Sequence, residues 1–228
     1  MTDKYFSRKT FTFLTQLDEN NNRDWFNENK QKYEDEVREP ALNFIADISG
    51  DLARISPHFN AIPKKIGGSL MRVYRDARFV KDKRPYKTNI GIQFRHEIGK
   101  DVHAPGFYVH ISPEECFIGV GIWRPDGPAL RKIRDRISEN SKKWLTITQQ
   151  KKFKHQFELA GESLVNAPRG YAKDHPMLED LRRKDHIAIT PLKKNIVTGD
   201  QFKKEVLKSF REANDYMEFL CKSLNLNY

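Results

Sequence analysis

Between Arg72 and Asn89 the chain reads RVYRDARFVKDKRPYKTN. Seven cations (Arg72, Arg75, Arg78, Lys81, Lys83, Arg84, Lys87), two carboxylates (Asp76, Asp82) and three rings (Tyr74, Phe79, Tyr86) share these eighteen residues. A guanidinium offers a planar fork to a carboxylate or phosphate, and an ammonium offers a point charge. Rings beside them can pack on the organic part of a bound anion. Two carboxylates leave five of the seven cations without a local counter-charge, so the stretch reads as an anion site. A salt-bridged loop that binds nothing is the alternative. Asp76 and Asp82 lie among cations and are expected to be ionised and hydrogen-bonded to Arg or Lys. Pro85 fixes the backbone of a tight turn, and Tyr86 can anchor it.

A second group lies on the strands that follow. Phe107, Val109 and Ile111, then Cys116, Ile118, Val120 and Ile122, alternate with other residues and form one apolar face of a hairpin. The opposite face carries Tyr108, His110 and Ser112, then Phe117, Gly119, Gly121 and Trp123. A turn centred on Pro113-Glu114 sets His110 opposite Phe117 and Tyr108 opposite Gly119. On the neighbouring strand Ile90, Ile92 and Phe94 point inward, and Asn89, Gly91, Gln93 and Arg95 outward. Gly91, Gly119 and Gly121 on one face each weaken a strand by about 0.5–1 kcal/mol relative to alanine. Either a ligand approaches the backbone there, or a ring such as Tyr108 or Trp123 lies over it.

These two groups are expected to form one pocket. Arg72, Arg75, Arg78 and Lys87 hold an anion, with Lys81, Lys83 and Asn89 beside them and Asp76 and Asp82 orienting the arginines. Tyr74, Tyr86, Tyr108 and Trp123 pack on the organic part. His110 is the candidate acid or base. Its alternative, a hydrogen-bonded structural histidine, stands beside it, as helix capping does for Asp174-His175. No reaction and no cofactor are specified. There is no GxxxxGK[ST] and no GxSxG. His96, His103 and His110 are spaced by seven on different elements, which does not make a zinc site.

The elements that must position these residues follow from periodicity. Residues 1–57 read as helical, with Trp25, Phe26, Tyr33 and Val37 on one stripe and Pro40 either kinking it or starting a second helix. Residues 66–124 read as an antiparallel sheet carrying the basic connection, its first strand from Ser69 to Arg75 with Met71 and Val73 inward. Residues 126–228 read as mainly helical, with a helix start at Asp174-His175-Pro176 and one long C-terminal helix. The expectation is a single α+β domain over 1–228, its sheet packed on one face by the N- and C-terminal helices.

Composition narrows the function classes. The net charge is +10 and concentrated: residues 64–87 hold nine Lys/Arg against two Asp/Glu, and residues 131–155 the same. Such blocks attract anions. The leading expectation is a phosphate-bearing or other anionic small molecule. Single-stranded nucleic acid, with phosphates on cations and bases on rings, is the alternative. A scaffold or partner-binding role through the Arg131–Lys154 block is the third. No apolar run is long enough to span a bilayer. The N-terminus lacks a signal-peptide core, and two lone cysteines suit a reducing compartment. A cytoplasmic protein without membrane insertion is therefore expected.

The stretches FTFLTQLDENNNRDWFNENKQKYE, RVYRDARFVKDKRPYKTNIG, PGFYVHISPEECFIGVGIWRP and PRGYAKDHPMLEDLRRK together resemble an uncharacterised family, domain of unknown function 2461. The Arg72–Asn89 segment is the specific part of the likeness. The resemblance implies one domain over nearly the whole chain and makes an inert loop a weaker reading. It implies no reaction.

Overall fold

The computed structural model describes residues 4–76, 81–99 and 103–228. The N-terminal helices are α1 (Arg8–Glu19), α2 (Arg23–Glu28), α3 (Lys30–Tyr33) and α4 (Glu39–Ile55). Ser7 caps α1 by accepting from the Lys9 amide at 3.1 Å while its own amide donates to Thr10 Oγ1. Asn22 caps α2 by accepting from the Trp25 amide at 3.0 Å. The question posed by Pro40 has a double answer. The chain stays helical from α3 into α4 through a π-helical turn, Glu34–Arg38, and Pro40 then sits in the first turn of α4. A proline has no amide hydrogen to give, and the wider turn before it accommodates the missing bond.

Among the described residues six strands form one antiparallel sheet. They are β1 (Phe59–Asn60), β2 (Ile90–His96), β3 (Gly106–Ile111), β4 (Cys116–Ile122), β5 (Glu158–Ala160) and β6 (His186–Pro191), in the order β1-β2-β3-β4-β6-β5. The expected α+β class and the helix-covered face are as the periodicity indicates. In the β3–β4 hairpin His110 pairs with Phe117 and Tyr108 with Gly119, the register set by the Ser112–Glu115 turn. Ile90, Ile92 and Phe94, the β3 trio and Cys116, Ile118, Val120 and Ile122 are all buried. They pack beneath α4, α10 (Phe202–Glu212) and α11 (Asn214–Ser223), the last two of α5–α11 described here in chain order. Phe210 of α10 lies 4.5 Å from the Phe107 ring and 5.8 Å from Phe94, and Phe44 of α4 lies 6.3 Å from Phe94. Aromatic rings thus carry much of the contact between helices and sheet.

Four sequence expectations need correction. Ser69–Arg75 is not a continuous strand. It makes isolated bridges, Leu70 to Ile92 and Tyr74 to Tyr86, because it leaves β2 to pair with its own returning arm. Ser69, Leu70 and Val73 are its buried residues, and Met71 lies on the opposite face. The sheet is not confined to residues 66–124: β1 precedes that range, and β5 and β6 join the sheet from within the mainly helical C-terminal part. The long C-terminal helix is two helices, parted at Ala213, whose ψ of 1° leaves the helical range. The remaining helices are α5 (Gly127–Glu139), α6 (Ser141–Gln149), α7 (Lys151–Gln156), α8 (Leu178–Arg182) and α9 (Lys194–Val197). Helix α8 starts after the Asp174-His175-Pro176 signal, and His175 Nδ1 accepts from the Met177 amide at 3.0 Å. No helix among the described residues is long and apolar enough to cross a membrane.

At the start of β6, His186 is fully buried, and among the described residues neither ring nitrogen has a hydrogen-bond partner. Burial, with the charges of Arg183 and Arg134 adding to it, pulls its pKa down to about 3. The fold therefore holds a neutral imidazole, whereas the unfolded chain takes up a proton near pH 6.5. Below that pH the unfolded state binds more protons, so stability is present above about 6.5 and falls toward about 3, by up to about 1.4 kcal/mol per pH unit. The urea midpoint of the wild type should drop more between pH 7.5 and 5 than that of His186→Phe. Equal drops in the two proteins would refute this assignment.

Candidate functional site

Register determines what the uncovered sheet face presents. One row across the strands is Gln93, Tyr108, Gly119, Ile189 and Glu158. The next is Arg95, Gly106, Gly121, Ile187 and Ala160. Strand β6 inverts the usual pattern. His186, Ala188 and Thr190 are buried toward the helices, while Ile187 and Ile189 are half-buried on the other face. Two isoleucines turned away from the core, beside Phe117 and Tyr108, make this face apolar where an ordinary half-exposed sheet is polar. A cavity of about 510 Å³ lies here, lined by Met71, Lys87, Gln93, Tyr108, Phe117, Gly119, Trp123, Ile187 and Ile189 with neighbouring backbone. Its size and its mainly apolar wall suit a small organic molecule.

The three outward glycines have different reasons. A Cβ on Gly91 would meet Met71 Sδ at 2.8 Å and the Tyr108 hydroxyl at 2.9 Å, so the Tyr108 side chain crosses it. Gly121 has φ +118°, and a Cβ there would strike the His186 carbonyl oxygen at 2.1 Å, so the backbone itself requires glycine. Gly119 is under neither constraint. A Cβ there would meet Tyr108 at 3.7 Å and Phe117 at 3.9 Å, ordinary contact distances. What its missing side chain provides is open space on the cavity floor.

Charge enters this cavity at one end. Lys87 is half-buried and lines it, and among the described residues it makes no ion pair. Burial, then the neighbouring Arg72 charge, holds the Lys87 pKa below the ordinary lysine value. Arg72 itself is exposed. Trp123 stands at 44% exposure, stacked on His103 at 5.8 Å, with the Arg124 guanidinium 4.8 Å from its ring centre. His110 is not among the lining side chains. It lies flat on the far side of Phe117, 4.6 Å between ring centres at 8°. Burial pushes the Tyr108 phenol up to about 12, so it stays protonated and donates to His110 Nδ1 at 3.1 Å. The Asn89 amide nitrogen is 3.5 Å from the same atom. Two donors on Nδ1, with burial lowering the His110 pKa, fix a neutral ring with its proton on Nε2.

Most of the basic connection sits elsewhere. Asp82 accepts from the Arg84 amide at 3.0 Å and from Arg84 Nε at 2.9 Å, and it also binds Arg75 Nη1. The amide bond first, then the two guanidiniums, holds its carboxyl well below the usual range. Arg84 reaches on to Asp18 at the end of α1. Asn21 pairs with the Tyr86 backbone as a strand would, donating to its carbonyl and accepting from its amide, each at 3.0 Å. Tyr86 is buried and stacked on Phe26 at 4.1 Å. Tyr74, Arg75 and Lys83 line a second cleft of about 420 Å³ with Arg23 and Asn27 of α2. Asp76 and Lys81 are exposed, and Arg78 lies outside the described residues.

The expected single pocket is therefore two. Lys87, Tyr108 and Trp123 meet on the sheet face, whereas Tyr74, Arg75, Lys83 and Tyr86 meet against α2. Phe117 and Gln93 follow from the alternation but were not expected as site residues. Met71, Ile187 and Ile189 were missed altogether, although the Ile-x-Ile spacing of β6 was a visible signal. Among the described residues no group of three or more His, Cys, Asp or Glu is placed to hold a metal ion.

A family model described as "Conserved hypothetical protein (DUF2461)" matches residues 9–219. The chain belongs to that family. The DUF2461 match spans both cavities, the Asp82 clamp and strand β6. No curated protein and no solved structure matches the chain.

Gly119→Ala should leave the fold intact and raise its stability by about 0.5–1 kcal/mol, read from urea unfolding. A loss of stability would show that the backbone needs glycine there. Asn21→Ala should destabilise by about 1–3 kcal/mol, since the Tyr86 amide and carbonyl lose both partners. An unchanged urea midpoint would remove Asn21 as the clamp.

Proposed function

We propose that this chain binds an anionic small molecule, carrying a phosphate or carboxylate on an apolar body, in the sheet-face cavity. The observation that carries this reading is Lys87: a half-buried ammonium with no carboxylate partner among the described residues, set at the end of an apolar cavity. Removing charge from water without a counter-ion is unfavourable, and a bound anion would offset it. Arg72 adds positive potential nearby, and Gln93 offers an amide. Tyr108, Phe117 and Trp123 supply rings around the open floor at Gly119. A phosphate alone gains little from such a wall, whereas an anion with an apolar body gains from both ends of it.

The single-strand reading draws less support. In the second basic block Arg131 pairs with Asp135, Arg134 donates to the Arg183 carbonyl, and Arg136 lies over the Phe219 ring. Those arginines serve the docking of α5 against its neighbours. Asp135 also accepts from the Tyr171 hydroxyl at 2.7 Å, which ties the PRGYAKDHP segment to the same helix. Both cysteines are buried and free, which supports a reducing compartment such as the cytoplasm.

Differential scanning fluorimetry against aryl phosphates, aryl carboxylates, nucleotides and sugar phosphates tests the proposal. Aryl anions should raise Tm and sugar phosphates should not. Lys87→Met should weaken binding by about 1.5–3 kcal/mol, roughly ten- to hundredfold, and Gly119→Val should abolish it without lowering Tm of the free protein. No stabilisation by any anion, or equal binding in both variants, would overturn the reading.

A further inference from the structure

Past the first cavity the same sheet face continues. A second concavity of about 650 Å³ lies over β6 and β5, between Glu115, Lys154, Gln156, Glu158, Ala160 and Pro191. It shares Phe117, Ile187 and Ile189 with the first. The two hollows therefore adjoin across three apolar side chains, with no polar barrier among the residues they share. Register gives the direction of the path. Tyr108, Gly119, Ile189 and Glu158 follow one another across four neighbouring strands, as do Gly106, Gly121, Ile187 and Ala160. Three strand intervals make a path of roughly 15 Å, longer than one ring needs.

The two ends of the path differ in charge. Lys87 and Arg72 stand at the β2 end. The β5 end offers Glu115 and Glu158 against Lys154 and His155, so it has no excess positive charge for a second anion. The middle is apolar throughout.

We propose that the ligand is a linear amphiphile with one terminal anionic group, an alkyl carboxylate or alkyl phosphate. Its head lies at Lys87 and its chain crosses β4 and β6 into the concavity beside β5. This rests on the anion reading above and adds the length and direction of the apolar part. The half-buried isoleucines of β6 gain their reason from it: each faces the path rather than bulk water.

The experiment is calorimetric titration of straight-chain carboxylates and phosphates, from six carbons to sixteen and below their micelle concentrations, with naphthoate as the compact control. Affinity should rise with chain length, by at most about fourfold per methylene, until the second concavity is filled, and then level off. Ala160→Phe fills only that concavity. It should cut the rise short while leaving six-carbon acids and naphthoate unchanged. Pro191→Trp obstructs the same hollow from the other side and serves if Ala160→Phe does not fold. Parallel rises in the two series assign the chain as the common determinant, and a rise confined to one of them names its head group. If naphthoate binds with dependence on Lys87 but chain length brings no gain, the elongated ligand is refuted and the anion cavity stands. If no anion of either kind binds, both fall. Sedimentation showing a dimer that Ala160→Phe or Pro191→Trp dissociates would give the face to a second copy and overturn the proposal.

Discussion

Everything on the sheet depends on the register of one hairpin. The turn is closed by the Ser112 amide donating to the Glu115 carbonyl at 2.9 Å and by the Glu115 amide donating to Ser112 Oγ at 3.1 Å. Side chains alternate with a period of two, so a slip of one residue would turn Phe107, Val109 and Ile111 away from the helices. Burial against α4, α10 and α11 forbids that slip. The same constraint fixes the other face: whatever is not needed for the core, Tyr108, Phe117 and Gly119 included, is held at set positions without having to hold itself.

The basic connection is ordered by a different means. It has few backbone ladder bonds of its own, and distant side chains hold it instead. Asn21 replaces a missing strand partner for Tyr86. Asp82 gathers Arg75 and Arg84, and Asp18 takes the far side of Arg84. Arg75 and Arg84 are matched in this way, and Lys87 lies on the other side of the connection, toward the sheet. The division of labour separates structural arginines from a lysine that no carboxylate among the described residues neutralises.

How much of this was legible in the sequence follows from the range of the interactions. The β3–β4 register was readable because its alternation is clean and its turn short. The Asp82 pairing was readable because Arg75 and Arg84 are near in sequence. The two-cavity arrangement was not, since Asn21 and Asp18 lie some 65 residues from the groups they hold. Strand β6 escaped because its buried positions are histidine, alanine and threonine, while its isoleucines point outward. An apolar pattern read as facing a core gives the wrong face there, and helical neighbours on both sides conceal its length. Met71 was misplaced for a related reason: a segment that changes pairing partner within five residues does not keep one alternation.

The edges of the sheet bear on how such a chain can meet another copy of itself. Its two outer strands, β1 and β5, are two and three residues long. An edge that short offers too few unpaired amides and carbonyls to template a neighbour's strand. At the β1 side the Asn227 carbonyl also reaches across to His96 Nε2 at 2.9 Å. A protein with an uncovered apolar sheet face would ordinarily risk strand-by-strand aggregation. Here the face is adhesive and the edges are blunt, so contact with another molecule has to be made broadside, through side chains, and cannot propagate into a fibre by extending the ladder.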